Sequence, residues 1–175
     1  MIIAVTGGKS VGKSTSMLKL SEALKAENIS VGGFVSKRIW KNDVRYGYEL
    51  ITLADGFSQL LAAEDESLKN DDVFSSAIFL HKAFSDGISS VKENCGADVV
   101  VIDEIGNIEA EGGGWHESFE YIKNRTMPTI LGVRENVVVR LAELGLEPDI
   151  TITVTPENSD VSGILLDIIS SELAR

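Results

Sequence analysis

Apolar residues follow two rhythms along this chain. Ile2, Ile3, Ala4 and Val5 form an unbroken run rich in β-branching, the pattern of a strand buried on both faces of a parallel sheet. A glycine-rich turn follows. Met17, Leu20 and Leu24 then fall at i, i+3 and i+7 within KSTSMLKLSEALKAEN, which predicts a helix. SVGGFVSKRIW and YGYELITLADG are β-rich runs joined by the polar KNDVR, and they predict an antiparallel hairpin centred on Asn42-Asp43. From Phe57 to Asp72 the pattern weakens and acids cluster, as in a surface loop with one short helical piece. Helical spacing returns through Phe74, Ala77, Ile78, Phe84 and either Ile88 or Val91, with Gly96 as its stop. ADVVVIDEIG reads as a second buried strand, ending in two carboxylates. WHESFEYIKNR then predicts a helix, PTILGV a strand, ENVVVRLAELGL a short helix, DITITV a last strand and NSDVSGILLDIISSELAR a closing helix.

Strands alternate with helices nearly throughout. The expected fold is therefore α/β, a three-layer α/β/α sandwich with a mostly parallel sheet and one antiparallel hairpin. At 175 residues, with no repeat, low-complexity tract or linker, a single domain over residues 1–175 is expected.

Charge narrows the partners. The chain carries 27 Asp+Glu against 16 Lys+Arg, a formal net charge of −11, which repels nucleic acid at long range but leaves room for a local cationic pocket. The one cysteine, Cys95, allows neither an internal disulfide nor a Cys-rich metal site. No apolar run approaches the roughly 20 residues of a membrane span, and MIIAVTGG lacks the basic start of a signal peptide. A cytoplasmic enzyme or switch, with no membrane partner, is the expected class.

The pocket is legible between the first strand and the first helix. Gly7-Gly8-Lys9-Ser10-Val11-Gly12-Lys13-Ser14 satisfies G-x-x-x-x-G-K-[ST] in the required strand–loop–helix context. Gly7 and Gly12 permit backbone angles that turn successive N–H groups inward, forming an anion nest at a helix N-terminus. Lys13 can reach β- and γ-phosphates, the Ser14 hydroxyl can ligate Mg²⁺, and Thr15 can donate to an α-phosphate. Lys9 belongs to the loop, with its side chain expected in solvent. An acid is needed at another strand end, and VVVIDE supplies Asp103 for the metal and Glu104 to polarise an attacking water. Metal binding alone needs only Asp103, so the pair favours hydrolysis.

Arg134, directly after the strand TILGV, is the candidate for neutralising charge on the transferred phosphoryl group; Arg38, Arg45 and Arg140 are expected at the surface. His81 and His116 have no companion at metal-ligand spacing. Trp40, Tyr46, Tyr48 and Trp115 could stack on a base, although aromatics in such elements more often pack. No Asn-Lys-x-Asp guanine-reading signature is present, so base choice is not legible.

With these residues in view, the chain resembles a family of small P-loop nucleoside-triphosphatases whose human representative is the cancer-related nucleoside-triphosphatase. The resemblance covers nearly the whole chain and rests on GGKSVGKST, on VGGFVSKRIWKNDVRYGYELITLADG, on VVVIDEIGNIE and on TPENSD. It implies a fold of the RecA-like branch of P-loop proteins and slow Mg²⁺-dependent hydrolysis of NTP (ATP, GTP or another) to NDP with loose base preference. By position it gives Lys13 and Ser14 to phosphate and metal, Asp103 to metal, Glu104 to water, and places Asn158 near the base or a neighbouring loop. Asn107 and Ser159 stand where the family has a lysine and an arginine, and Val133 where it has a histidine before the arginine kept at Arg134. Two other functions stay open. A kinase would need a cationic lid, but the stretch 54–73 offers acids and the single Lys69. A nucleotide-gated binding protein would use γ-phosphate to order a loop without turnover. Protein partners are not legible.

Overall fold

The computed structural model describes residues 1–63, 78, 79 and 81–175. Its strands are β1 (Ile2–Thr6), β2 (Val31–Lys41), β3 (Val44–Thr52), β4 (Ser58–Ala63), β5 (Ile78–Phe79), β6 (Val99–Ile105), β7 (Thr129–Val133) and β8 (Ile150–Thr153). They form one sheet in the order β5-β4-β3-β2-β6-β7-β1-β8. Pairing is parallel from β2 through β6, β7 and β1 to β8. It is antiparallel from β2 out to β5. The helices are α1 (Lys13–Ala26), α2 (His81–Glu93), α3 (Asn107–Ala110), α4 (Glu135–Val138) and α5 (Ser162–Leu173), with a 3-10 helix at His116–Tyr121. One strand, β7, separates β1 from β6, so the chain has the three-layer P-loop fold of the RecA-like branch.

The continuous apolar runs are explained by burial on both faces. Ile3, Val5, Val99, Val101 and Ile130 point to one side and meet Met17, Leu20 and Leu24 of α1 and Leu165 and Ile169 of α5. Ala4, Val100, Ile102 and Leu131 point to the other and meet Ala83, Phe84 and Val91 of α2 together with Phe119. The period of two persists within each strand, but because each face has its own apolar layer it produces no polar alternation.

The hairpin turn falls where the sequence puts it. Asn42 and Asp43 have φ of 52° and 60°, left-handed angles that two-residue hairpin turns require and Asn and Asp tolerate. Other boundaries differ from expectation. Residues 58–63, expected in a surface loop, are β4, with Leu61, Ala62 and Ala63 buried. SQLLAA has no β-branched residue; pairing with β3 makes it a strand, not propensity. The remainder of that stretch, and the lid 54–73 beyond residue 63, lie outside the described residues.

The helix expected from Phe74 begins at His81, because Ile78 and Phe79 pair with Ala63 and Ala62; Phe74 and Ala77 lie outside the described residues. It stops at Glu93 rather than running to Gly96, and Asn94 Nδ2 donates to the Ser90 carbonyl at 3.0 Å. The helices expected over WHESFEYIKNR and ENVVVRLAELGL shorten to the 3-10 turn and to the four residues of α4. Trp115 precedes the 3-10 turn as a core residue, its ring centroid 4.3 Å from both Phe34 and Phe84.

Replacing Trp115 with alanine leaves a large void between β2 and α2. A loss of about 3–5 kcal/mol is expected in urea denaturation of Trp115→Ala, followed by circular dichroism.

Candidate active site

Because the central strands are parallel, their carboxyl ends share one edge of the sheet, and a cleft of about 700 Å³ opens there. The phosphate loop forms its floor. Gly7, Ser10 and Gly12 have φ of 139°, 65° and 114°, which folds the loop back on itself before α1. At Gly12 the space is also closed: a Cβ would lie 2.1 Å from the Ser159 carbonyl oxygen. Ser16 completes this seam. Its hydroxyl lies 3.0 Å from the Gly12 carbonyl and 3.3 Å from that of Ser159, and accepts from the Val161 N–H at 3.1 Å. Lys13 Nζ donates to the Gly7 and Gly8 carbonyls, each at 2.8 Å, so the ammonium arches over the loop. Burial pushes the Lys13 pKa down, with Glu104, Asp103 and Glu135 opposing and Arg134 assisting.

Asp103 is the buried centre. Only 1 % of it is exposed. Its Oδ1 accepts the Glu104 N–H at 2.8 Å, its Oδ2 accepts the Ser36 N–H at 3.1 Å, and the Ser14 side chain hydrogen-bonds to it. Burial first, then the neighbouring Glu104, pushes its carboxyl up to about 7 against these three donors. Gly132 on β7 makes the room, since a Cβ there would stand 2.3 Å from Asp103 Oδ1.

Glu104 takes the opposite course and faces the cleft. Its φ is 59°, a left-handed angle rare for a side-chain-bearing residue, and the β6–β7 register shifts across it. Arg134 Nη2 lies 3.7 Å from Glu104 Oε2, both side chains being partly exposed. The Arg134 N–H donates to the Ile105 carbonyl at 2.9 Å, which ties the two strand ends together.

Most of the predicted residues meet here. Gly7, Gly8, Lys9, Ser10 and Gly12 line the cleft, as do Lys13, Ser14 and Thr15 of the first helical turn. Glu104 and Arg134 face them, and Asp103 sits beneath. Val11 instead packs its side chain against the α1 core group. Asn158 is exposed in a turn after β8, its N–H 3.2 Å from Thr155 Oγ1, and does not line the cleft. Arg140 points elsewhere, to the Ala110 carbonyl at 3.2 Å, and His116 Nδ1 lies 2.8 Å from the Glu109 carbonyl.

Two features were missed and a third was left open. Arg38, expected at the surface, donates to the Ser10 hydroxyl and lies 5.8 Å from the Tyr48 ring. Trp40, which the sequence left between stacking on a base and packing, is 60 % exposed and lines the cleft. Glu109 is buried, its Oε2 accepting the Gly106 N–H at 2.8 Å and so fixing the backbone beyond Glu104. Burial raises its carboxyl, against hydrogen bonds from Gly106 and Trp115. Its spacing of three from Gly106, as in a capping box, was the available signal.

The oxygens around Asp103 fit Mg²⁺. They are the Asp103 carboxylate and the Ser14 hydroxyl that hydrogen-bonds to it; Ser36, whose N–H bonds the same carboxylate, has its Oγ buried with no hydrogen-bond partner among the described residues. Among the described residues no group of three or more His, Cys, Asp or Glu could hold a metal alone. Mg²⁺ suits such a partial set because it keeps waters and takes phosphate oxygens. Among the described residues, no helix is long and apolar enough to cross a membrane.

Fold and cleft together define a P-loop nucleotide-binding protein. The profile of a family described as NTPase matches residues 2–169, and the chain belongs to that family. It is 31% identical over 147 residues to nucleoside-triphosphatase THEP1 of Methanocaldococcus jannaschii, covering 83% of this chain and 85% of that protein. To the protein of the same name from Methanopyrus kandleri it is 29% identical over 168 residues, 90% of this chain and 88% of that one. In fold it is similar to the crystal structure of THEP1 from Aquifex aeolicus, with a TM-score of 0.71, 20% identity, and coverage of 97% of this chain and 99% of that. The solution structure of a human cancer-related nucleoside triphosphatase gives 0.70 at 23% identity, over 98% and 97% of the two chains.

The raised Asp103 carboxyl has a pH signature. An unfolded aspartate ionises near ~4, whereas the folded one holds its proton to about 7. Between these values the unfolded chain binds fewer protons, so stability is fullest below the lower value and falls as pH rises to the upper. Urea titrations in EDTA from pH 5 to 8 should show wild-type stability falling by roughly 2–3 kcal/mol, and Asp103→Asn should flatten that slope.

Proposed function

We propose that this chain hydrolyses nucleoside triphosphates to diphosphate and phosphate with Mg²⁺, accepting several bases, in the cytoplasm where such substrates are abundant. The observation that carries this is the division of labour between adjacent acids. Asp103 is buried against Ser14 and Ser36, while the left-handed turn at Glu104 sends the next carboxylate into the cleft. A protein that only bound nucleotide would need the first acid and not the second.

In this reading the loop from Gly7 to Thr15 holds the phosphates through its N–H groups, with Lys13 serving the β- and γ-phosphates. Ser14 and Asp103 would hold the metal, with the buried Ser36 beside Asp103. Mg²⁺, when bound, supplies charge neutralisation at the phosphate tail. Glu104 orients a water and takes its proton. Arg134, held beside Glu104 at 3.7 Å, offsets charge that develops on the γ-phosphoryl oxygens. Family membership supports the reaction class.

Phosphate release from ATP, GTP, CTP and UTP tests the proposal. Steady release with Mg²⁺ and none with EDTA is expected. Lys13→Ala and Glu104→Gln should each lower kcat by about 100-fold or more, with Glu104→Gln still binding ATP. Undiminished release in Glu104→Gln would remove that residue from catalysis, and release only on adding an acceptor would identify a kinase.

A further inference from the structure

Strand β2 runs along the cleft like a ruler. Ser36, Arg38 and Trp40 are alternate residues, so they share one face, and all three line the cleft. Ser36 gives its N–H to Asp103 at 3.1 Å, beside the acid centre. Arg38 reaches the phosphate loop at the Ser10 hydroxyl and is steadied by the Tyr48 ring, its register partner on β3. One strand repeat, about 7 Å, carries the chain outward from Arg38 to Trp40. A nucleotide's base stands off its phosphates by one ribose, a distance of the same order.

The state of Trp40 agrees with that position. The chain has two tryptophans: Trp115 is 2 % exposed and wedged between two phenylalanines, while Trp40 is 60 % exposed. An indole in water, on the wall of a cleft whose floor holds phosphate, offers a flat apolar face to a flat ligand. The β2–β3 register shift beside it leaves the extra residue, Tyr46, on β3, so the alternation along β2 runs unbroken to Trp40.

We infer that Trp40 is the nucleobase platform of the site, stacking on the base of a nucleotide whose phosphates lie in the Gly7–Thr15 loop. This rests on the nucleotide reading above and adds the base subsite to it. Stacking uses the face of the ring and not its edge, so every base is accepted and purines, with the larger face, are held tighter.

Calorimetry with MgATP, MgUTP and inorganic triphosphate as probes tests it, on wild type, Trp40→Ala and Trp40→Phe. Trp40→Ala should weaken MgATP about tenfold or more, with a smaller loss for MgUTP and none for inorganic triphosphate; Trp40→Phe should restore most of the affinity. In the wild-type chain, indole emission should be quenched by MgATP and not by inorganic triphosphate. Equal MgATP affinity in wild type and Trp40→Ala overturns the platform, as does an equal loss for MgATP and inorganic triphosphate, which would mark a disturbed phosphate loop. Wild type that binds no nucleotide refutes the nucleotide reading itself, whereas hydrolysis and tight binding that survive Trp40→Ala refute only the platform.

Discussion

A carboxylate sealed in the centre of a sheet must be surrounded by donors, and Asp103 organises this molecule around that requirement. The donors come from three elements: the Glu104 N–H from β6, the Ser36 N–H from β2, and the Ser14 hydroxyl from the first turn of α1. Each of these bonds fixes one wall of the cleft relative to the others. The space itself comes from a fourth element, where Gly132 of β7 leaves room for Oδ1. Even so, burial holds the carboxyl up to about 7, and a divalent cation beside it would offset that desolvation.

The turn after Asp103 converts this buried anchor into an exposed group. A left-handed backbone at a residue other than glycine costs about 1–3 kcal/mol and persists only where neighbours over-determine it. Here the Glu104 N–H is held by Asp103, the Ile105 carbonyl by the Arg134 N–H, and the Gly106 N–H by buried Glu109. The same three bonds that hold the strain aim Glu104 and Arg134 into the cleft. Stability is thus lowered locally at the one place where a side chain must leave the core direction of its strand.

The opposite wall is built differently. β2 continues past its parallel pairing with β6 into a long hairpin, anchored at its turn by left-handed Asn42 and Asp43 and at its base by Arg38 on Ser10. On the far side of the loop, Ser16 and Gly12 press α1 against the segment after β8. The phosphate loop is therefore clamped from both sides, by the hairpin and by the chain that leads into α5. The exposed Asn158 belongs to the second clamp and lies away from the cleft.

Local patterns were enough for every parallel strand, for α1 and α5, for the hairpin turn and for the loop residues Gly7 to Thr15, because each depends on neighbours within a few positions. Asp103 and Glu104 were legible for the same reason: four apolar residues lead straight into them. What sequence alone could not decide were the features made by distant partners. SQLLAA became β4 only because β3 offered an unpaired edge, and Ile78-Phe79 left their helix to pair with it. Arg38 looked like a surface arginine until folding laid it on Ser10, 28 positions away. Trp40 and Trp115 are chemically identical residues, and only packing sent one into a cage of Phe34 and Phe84 and left the other on the wall of the cleft. Short-range periodicity records which face of an element is apolar; which groups meet across that face is settled by long-range packing, where one added Cβ, as at Gly132, is enough to exclude a contact.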